Sequence, residues 1–303
     1  MKVLLKCILG VFMVVQVNAQ SKKLKVDTKL NQKIKNAVKG FEGQIGIYVE
    51  NLKTGKFAAY NPDTLFPTAS MVKVPIMVGV FDKIQKGELK YNQVMVYKDS
   101  LKYDDGIVSS FKDSTKITLS ELVFLMESVS DNTASLWLQG MVGGKQINAN
   151  MESLGLSHVR VNSRTPGREL FRKTYGWGTC TPFEMALLIK KIRQGNVISK
   201  AASDRMIRTL SYQFWDEEGL SQLPENVKFS CKTGAVDRSR SETAVVYAPH
   251  GDYVYCIVSK NQKDTTYESN NAGFEMIRKV SKIIWEHYEP KSNFVKSIKD
   301  PKF

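Results

Sequence analysis

The 303-residue sequence is poor in cysteine and histidine, with four and three respectively, and it has no apolar run long enough to span a bilayer. Four cysteines over this length are too sparse for a disulfide scaffold. His158, His250 and His287 are scattered, and none has a carboxylate at metal-ligand spacing. That argues against a zinc site or a histidine-based triad. Internal repeats and low-complexity segments are missing too. What is present is an ordinary globular composition: 42% hydrophobic and 24% charged residues exclude a disordered chain. The net charge of +14 invites a nucleic-acid partner, but no basic patch with a reading motif accompanies it, so none is expected.

Residues 1–19 read as a secretory signal. Lys2 and Lys6 form a basic start, Cys7 to Val15 a short apolar run, and Val17-Asn18-Ala19 a small-residue cleavage site. An uncleaved anchor is the alternative. The expectation is an exported, periplasmic or secreted protein with no membrane span after cleavage. Cleavage removes Lys2, Lys6 and Cys7. Cys180, Cys231 and Cys256 remain, an odd set that leaves at least one thiol unpaired within the chain.

Along the mature chain the hydrophobic period changes twice. Asp27 can cap a helix to about Val38, with Leu30, Ile34 and Val38 on one face. Gln44–Val49 and Phe57–Tyr60 read as a hairpin around Lys53-Thr54-Gly55-Lys56. Helical patterns then dominate to Phe214. They include Met71–Ile84, one long helix Leu119–Leu138 capped by Thr118 or Ser120, Gly143–Leu154, Pro182–Arg193 and Ser199–Tyr212. Arg160–Thr181 is the longest irregular stretch, and ordered loops of that kind are often functional. Strands return at Val227–Lys232, Ala244–Ala248 and Tyr253–Ser259, followed by a helix Ala272–His287 and a polar tail over 289–303. The pattern predicts an α+β fold. Five antiparallel strands are flanked by the terminal helices, and an all-helical lobe is inserted between them. The boundaries expected are 27–62 and 222–288 for the α/β lobe and 63–221 for the helical lobe, within one domain over 20–288.

Three short motifs carry chemistry. Ser70-Met71-Val72-Lys73 is S-x-x-K at the start of an apolar helix, Ser130-Asp131-Asn132 is S-D-N, and Lys232-Thr233-Gly234 is K-T-G at a strand end. Helical positions i and i+3 share a face, so the Lys73 amine can reach the Ser70 hydroxyl. Serine is a weak nucleophile until a base takes its proton, and a buried lysine beside other cations can become that base. Backbone N–H groups at the helix start can hold an oxyanion. A second S-x-x-K, Ser109 to Lys112, leads into polar residues and is read as chance. The three motifs together, in this order, are far more specific than any one alone.

On these motifs the sequence resembles the class A β-lactamases, active-site serine hydrolases within the wider penicillin-recognising family. The likeness extends over about residues 40–288. It includes Ile117 to Gly144, Thr179-Cys180-Thr181-Pro182, and Lys232 to Pro249. The resemblance implies a β-lactamase/transpeptidase-like fold and hydrolysis of the β-lactam amide through an acyl-serine. No cofactor or metal is implied, and a monomer acting on a small β-lactam or cell-wall peptide is expected. Ser70 would be acylated, Lys73 would be base or proton relay, and Ser130 would protonate the leaving nitrogen. Asn132 would hold the substrate amide, Lys232 and Thr233 its carboxylate, and the N–H groups of Ser70 and Ala235 the oxyanion. Arg240, with Arg238 as rival, would be a second carboxylate ligand. Asp131 reads as structural. Cys231 would point away from the site, because strand neighbours face opposite sides. Tyr103 is either a cleft residue or an ordinary loop aromatic, and Tyr175 and Trp177 are expected to pack the loop.

One departure stands out. The family's E-x-x-L-N setting for the glutamate that activates the deacylating water is absent from Arg164 to Phe171. Glu169 is the only carboxylate between Arg160 and Pro182. It is the candidate base, the alternative being a surface residue paired with an arginine. The rival functions are a D,D-peptidase-like penicillin-binding protein with slow deacylation and a non-catalytic β-lactam- or peptidoglycan-binding module.

Overall fold

The computed structural model describes residues 24–294; the expected signal and most of the polar tail lie outside them. The chain opens with β1 (Lys25–Val26), α1 (Thr28–Ala37), β2 (Gln44–Asn51), β3 (Lys56–Tyr60) and β4 (Phe66–Pro67). A 3-10 turn, Ala69–Val72, runs straight into α2 (Lys73–Gln85), followed by β5 (Val94–Val96) and β6 (Lys116–Thr118). Next come α3 (Leu119–Ser128), α4 (Asn132–Val142), α5 (Gly144–Ser153), β7 (Arg160–Val161), α6 (Glu169–Tyr175) and β8 (Gly178–Cys180). The chain closes with α7 (Pro182–Arg193), α8 (Lys200–Thr209), β9 (Phe229–Val236), β10 (Ser239–Val246), β11 (Tyr253–Lys260) and α9 (Ala272–Tyr288).

The main sheet has the order β1-β3-β2-β11-β10-β9. Five strands are antiparallel, as the pattern predicts. The sixth is a correction: β1 adds a short parallel edge, pairing Val26 with Phe57. Side chains alternate across the sheet, and each face has its own core. Ile47, Val49, Ala244, Val246, Tyr253, Tyr255 and Ile257 pack against α1 and α9. Val245, Val254, Cys256 and Val258 face the helical part of the chain. Within that part α2 is buried over every residue from Lys73 to Phe81. A helix apolar all round belongs in the middle of a fold, and each fully buried Ile76 or Met77 side chain contributes about 1.5–3 kcal/mol.

Helix ends follow the capping chemistry of the sequence. Asp27 caps α1 through Leu30 N–H, and Thr118 with Glu121 forms a capping box on α3. The single helix expected over Leu119–Leu138 is instead two. Ser130 adopts a left-handed backbone with φ of 63°, which no continuous helix allows. Asp131 then caps α4, its Oδ1 accepting from Ala134 N–H at 2.8 Å. The stretch expected to be irregular over Arg160–Thr181 contains β7, β8 and the short α6. Strand β10 begins at Ser239, five residues earlier than its apolar pattern suggests, because its first half carries polar residues.

Candidate active site

Ser70 sits in the 3-10 turn that precedes α2, immediately after Ala69, whose φ is 44°. Left-handed backbone at a residue with a Cβ costs about 1–3 kcal/mol and gathers at functional sites. Lys73, fully buried one turn on, places its Nζ 2.8 Å from Ser70 Oγ. The same nitrogen lies 3.0 Å from Ser130 Oγ, 2.9 Å from Ser130 O and 2.7 Å from Asn132 Oδ1. Two of these partners, a carbonyl and an amide oxygen, can only accept. They fix two of the Lys73 hydrogens and leave its remaining direction to the hydroxyls of Ser70 and Ser130. A neutral amine in this position can accept the Ser70 proton.

Asn132 is oriented by a second bond, its Nδ2 donating to Asp104 Oδ2 at 2.6 Å. Asp131 is structural, as expected: besides capping α4 it accepts from Val108 N–H at 2.9 Å. From the opposite side β9 approaches the nucleophile so closely that a Cβ on Gly234 would stand 2.8 Å from Ser70 N and 2.9 Å from Thr68 O. Only glycine allows that approach, which explains the third letter of K-T-G. Lys232 is fully buried, donating to Thr233 O at 3.2 Å, and Thr233 is nearly so.

Burial dominates the electrostatics. It pushes the Lys73 amine down to about 7, aided by the positive charge of Lys232 and opposed by Glu127, Asp131 and Asp104. Lys232 is lowered for the same first reason, with Glu127 the leading opposition. Glu127, buried in α3, is raised to about 7 by burial, against the pull of Lys232 and Lys73.

A cleft of about 610 Å³ opens in front of Ser70. Ser70, Asn132 and Ala235 line it, as do Tyr103, Tyr175 and Trp177, so these three aromatics are cleft walls and not mere loop packing. Tyr103 and Trp177 meet edge to face at 5.3 Å. Among the described residues that line the cleft there is no carboxylate.

Two sequence expectations are corrected. Glu169 begins α6 on the surface and lies outside the cleft lining. Its Oε1 accepts from Gly167 N–H at 3.0 Å, and its carboxyl is held below the usual range by the backbone N–H groups of Glu169 and Gly167. Its carboxyl is exposed and turned to solvent. Arg240 is fully buried on the α9 face of the sheet. Its guanidinium donates to the carbonyls of Val236, Ser239 and Thr266 and lies over the rings of Tyr267 and Phe274. Parity is the reason. On β10 the even residues 240, 242, 244 and 246 face α1 and α9, while Ser241 turns to the cleft side and donates to Thr68 O. Arg238, in the two-residue turn before β10, lines the cleft instead.

The cleft also takes residues that sequence reasoning passed over. Lys260 closes the apolar strand β11, donates to Leu65 O at 2.7 Å and lies over the rings of Phe66 and Tyr175. A single cation at the end of an otherwise apolar strand was the available signal. Cys180, Cys231 and Cys256 are free and buried, with Cys231 on the face away from the cleft as expected.

A family model described as the beta-lactamase enzyme family matches residues 29–288. The chain belongs to that family. It is 25% identical over 292 residues to Beta-lactamase VEB-1 of Pseudomonas aeruginosa, covering 91% of this chain and 94% of that protein. It is 27% identical over 265 residues to an imipenem-hydrolyzing beta-lactamase of Enterobacter cloacae, covering 80% and 85%. Among solved structures PBP-A superposes with a TM-score of 0.78 at 25% identity, over 88% of this chain and 98% of that one. The family membership makes the chain a β-lactamase-type serine hydrolase with the α+β fold that the hydrophobic pattern predicts. Among the described residues no helix is long and apolar enough to cross a membrane.

Proposed function

We propose that the protein is an exported hydrolase that opens β-lactam amides through an acyl-Ser70 intermediate. The observation that carries the reading is Lys73 Nζ, buried and within 2.7–3.0 Å of Ser70 Oγ, Ser130 Oγ and Asn132 Oδ1. Neutral Lys73 takes the Ser70 proton as Oγ adds to the lactam carbonyl carbon. The carbonyl oxygen becomes an oxyanion facing the N–H groups of Ser70 and Ala235. The C–N bond then breaks, Ser130 Oγ gives its proton to the leaving nitrogen, and Ser130 recovers a proton from Lys73. Water adds to the ester carbonyl, the acyl C–Oγ bond breaks, Oγ regains a proton and the ring-opened acid leaves. Asn132 holds the substrate amide, and Lys232 and Thr233 attract its carboxylate. Arg238 would join them, a reading supported by its position in the cleft lining, which Arg240 does not share. Family membership and the named β-lactamases among the relatives support the same reaction.

The lack of a carboxylate among the described residues that line the cleft favours a second reading, in which acylation is fast and hydrolysis slow, as in a D,D-peptidase-like penicillin-binding enzyme. Turnover of a chromogenic cephalosporin separates them. Steady hydrolysis after the first equivalent supports the β-lactamase reading; a single burst equal to the enzyme concentration supports the slow one. Ser70→Ala should abolish the covalent adduct seen by intact-mass spectrometry. An adduct that survives would refute Ser70 as nucleophile, and no adduct on the native enzyme would favour a binding module.

A further inference from the structure

Behind the nucleophile lies a side chain that the chemistry above does not use. Glu127 stands in the last turn of α3, three residues before Ser130, and is completely buried. Neither of its carboxyl oxygens has a hydrogen-bond partner. An ionised carboxyl keeps such a place only with a counter-charge nearby.

The cations acting on Glu127 are Lys232 and then Lys73, both fully buried themselves. The backbone holds the three together. Gln213 Nε2 donates to Glu127 O at 3.2 Å and to Cys231 O at 3.1 Å, stitching the end of α3 to the residue before Lys232. Lys73 Nζ donates to Ser130 O, just past the same helix end. Other titratable groups face the lysines: Asp131 and Asp104 are engaged elsewhere, whereas Glu218 is raised by burial and has one buried carboxyl oxygen without a partner. Asp131 caps α4, Asp104 accepts from Asn132, and both act on Lys73 after Glu127. Glu218 and Cys231 act on Lys232, again after Glu127.

We propose that Glu127 is a positioning residue of the acylation step: it is the shared counter-charge of Lys73 and Lys232, and the number of protons the two lysines carry depends on it. The idea rests on the acyl-serine reading. It adds a control on that reaction from outside the cleft, through a group that never touches substrate. With Glu127 ionised, Lys232 keeps its proton for the carboxylate and Lys73 releases its own only near neutral pH. With the charge removed, both lysines release protons at lower pH, so both limbs of the acylation profile move to the acid side.

The test is the rate of acylation by a fluorescent penicillin between about pH 5 and 9 for the native enzyme, Glu127→Gln and Glu127→Asp. In Glu127→Gln the midpoints should fall by about one unit. The variant then loses about tenfold at the alkaline end and gains up to about tenfold at the acid end, while Glu127→Asp recovers the native midpoints. A uniform loss at every pH, or Asp behaving like Gln, would mark a purely structural residue and overturn the proposal. Lysine Cε resonances of the same proteins, followed by NMR, decide the matter independently of labelling. Unchanged lysine titrations in Glu127→Gln overturn the role of Glu127 even if the native enzyme is never labelled, which is the separate failure of the acyl-serine reading. Should Glu127→Gln not fold, the carboxyl resonance of Glu127 in the native protein, assigned with Glu127→Asp, answers instead. A Glu127 carboxyl ionised over the range in which Lys73 titrates supports the proposal, and one that stays protonated through that range overturns it.

Discussion

The two walls of the cleft differ in kind. On one, α2, the α3–α4 break and β9 bring a nucleophile, two lysines and a second serine together, with Lys73 at hydrogen-bond distance from four atoms. On the other, the segment between β7 and β8 presents Thr174, Tyr175, Gly176 and Trp177, and its one carboxylate, Glu169, faces solvent. That segment is well fixed: Arg168 donates twice to Asn162 Oδ1, at 3.0 and 2.8 Å, and stacks on Phe171. It is therefore an ordered wall without a base and not a loosely held one. The nucleophile and its lysines therefore stand on elements separate from the segment that carries Glu169.

The sharpest way to break this comparison is to remove the amine from the first wall. Lys73→Ala should slow covalent labelling by about 10²–10⁴-fold while non-covalent binding persists. A near-native labelling rate would move the base elsewhere. Next is the pair of arginines. Arg240→Met leaves the carbonyls of Val236, Ser239 and Thr266 without their donor. It should cost about 3 kcal/mol in denaturant unfolding with KM unchanged. Arg238→Ala should do the reverse, raising KM for a carboxylate-bearing β-lactam about tenfold with an unchanged melting temperature. Equal effects from both would undo the assignment of the two faces.

A smaller effect concerns pH. Burial raises the Glu242 carboxyl to about 7, against the hydrogen bonds it accepts from Tyr255 Oη and Gly219 N–H. Its folded-state affinity for the proton exceeds that of the unfolded chain. Its contribution is whole below the ordinary carboxylate pKa and is lost as pH rises towards about 7. Glu242→Gln should remove that decline and gain up to about 2 kcal/mol above pH 7, read from melting curves across the range. An unchanged slope would mean that Glu242 keeps its charge when buried. Smallest of all is Glu169→Gln, for which the deacylation rate should stay within about twofold. A large loss would return Glu169 to the cleft.

The legible part of this site was local. Ser70 and Lys73 are three residues apart on one helix face, and the strand-end K-T-G beside an apolar run reads directly from the chain. The α+β order was legible for the same reason, because the hydrophobic period switches where the elements switch. What stayed hidden depends on tertiary facts. Arg240 sits among cleft-facing neighbours in sequence, yet hairpin register turns it to the other face. The helix break at Ser130 interrupts an apolar pattern that runs on unbroken. Glu127 reads as one more acidic residue on a helix, and only the tertiary structure shows it to be completely buried. The short α6 is seven residues long and carries no buried stripe that a period could betray.

The turn Asp237–Arg238 connects Val236 to its partner Ser239 and counts as the register mark of the whole edge. Like a reading frame, it tolerates changes of letter but not of number. Deleting one residue there would exchange everything downstream on β10. The Arg240 cation and the Glu242 carboxyl would be driven toward the nucleophile, and Ser241 and Thr243 would go into the apolar layer under α9. Natural variation in this hairpin is therefore expected to come as substitutions or as insertions of paired length, since a single-residue indel would be a frameshift written in structure.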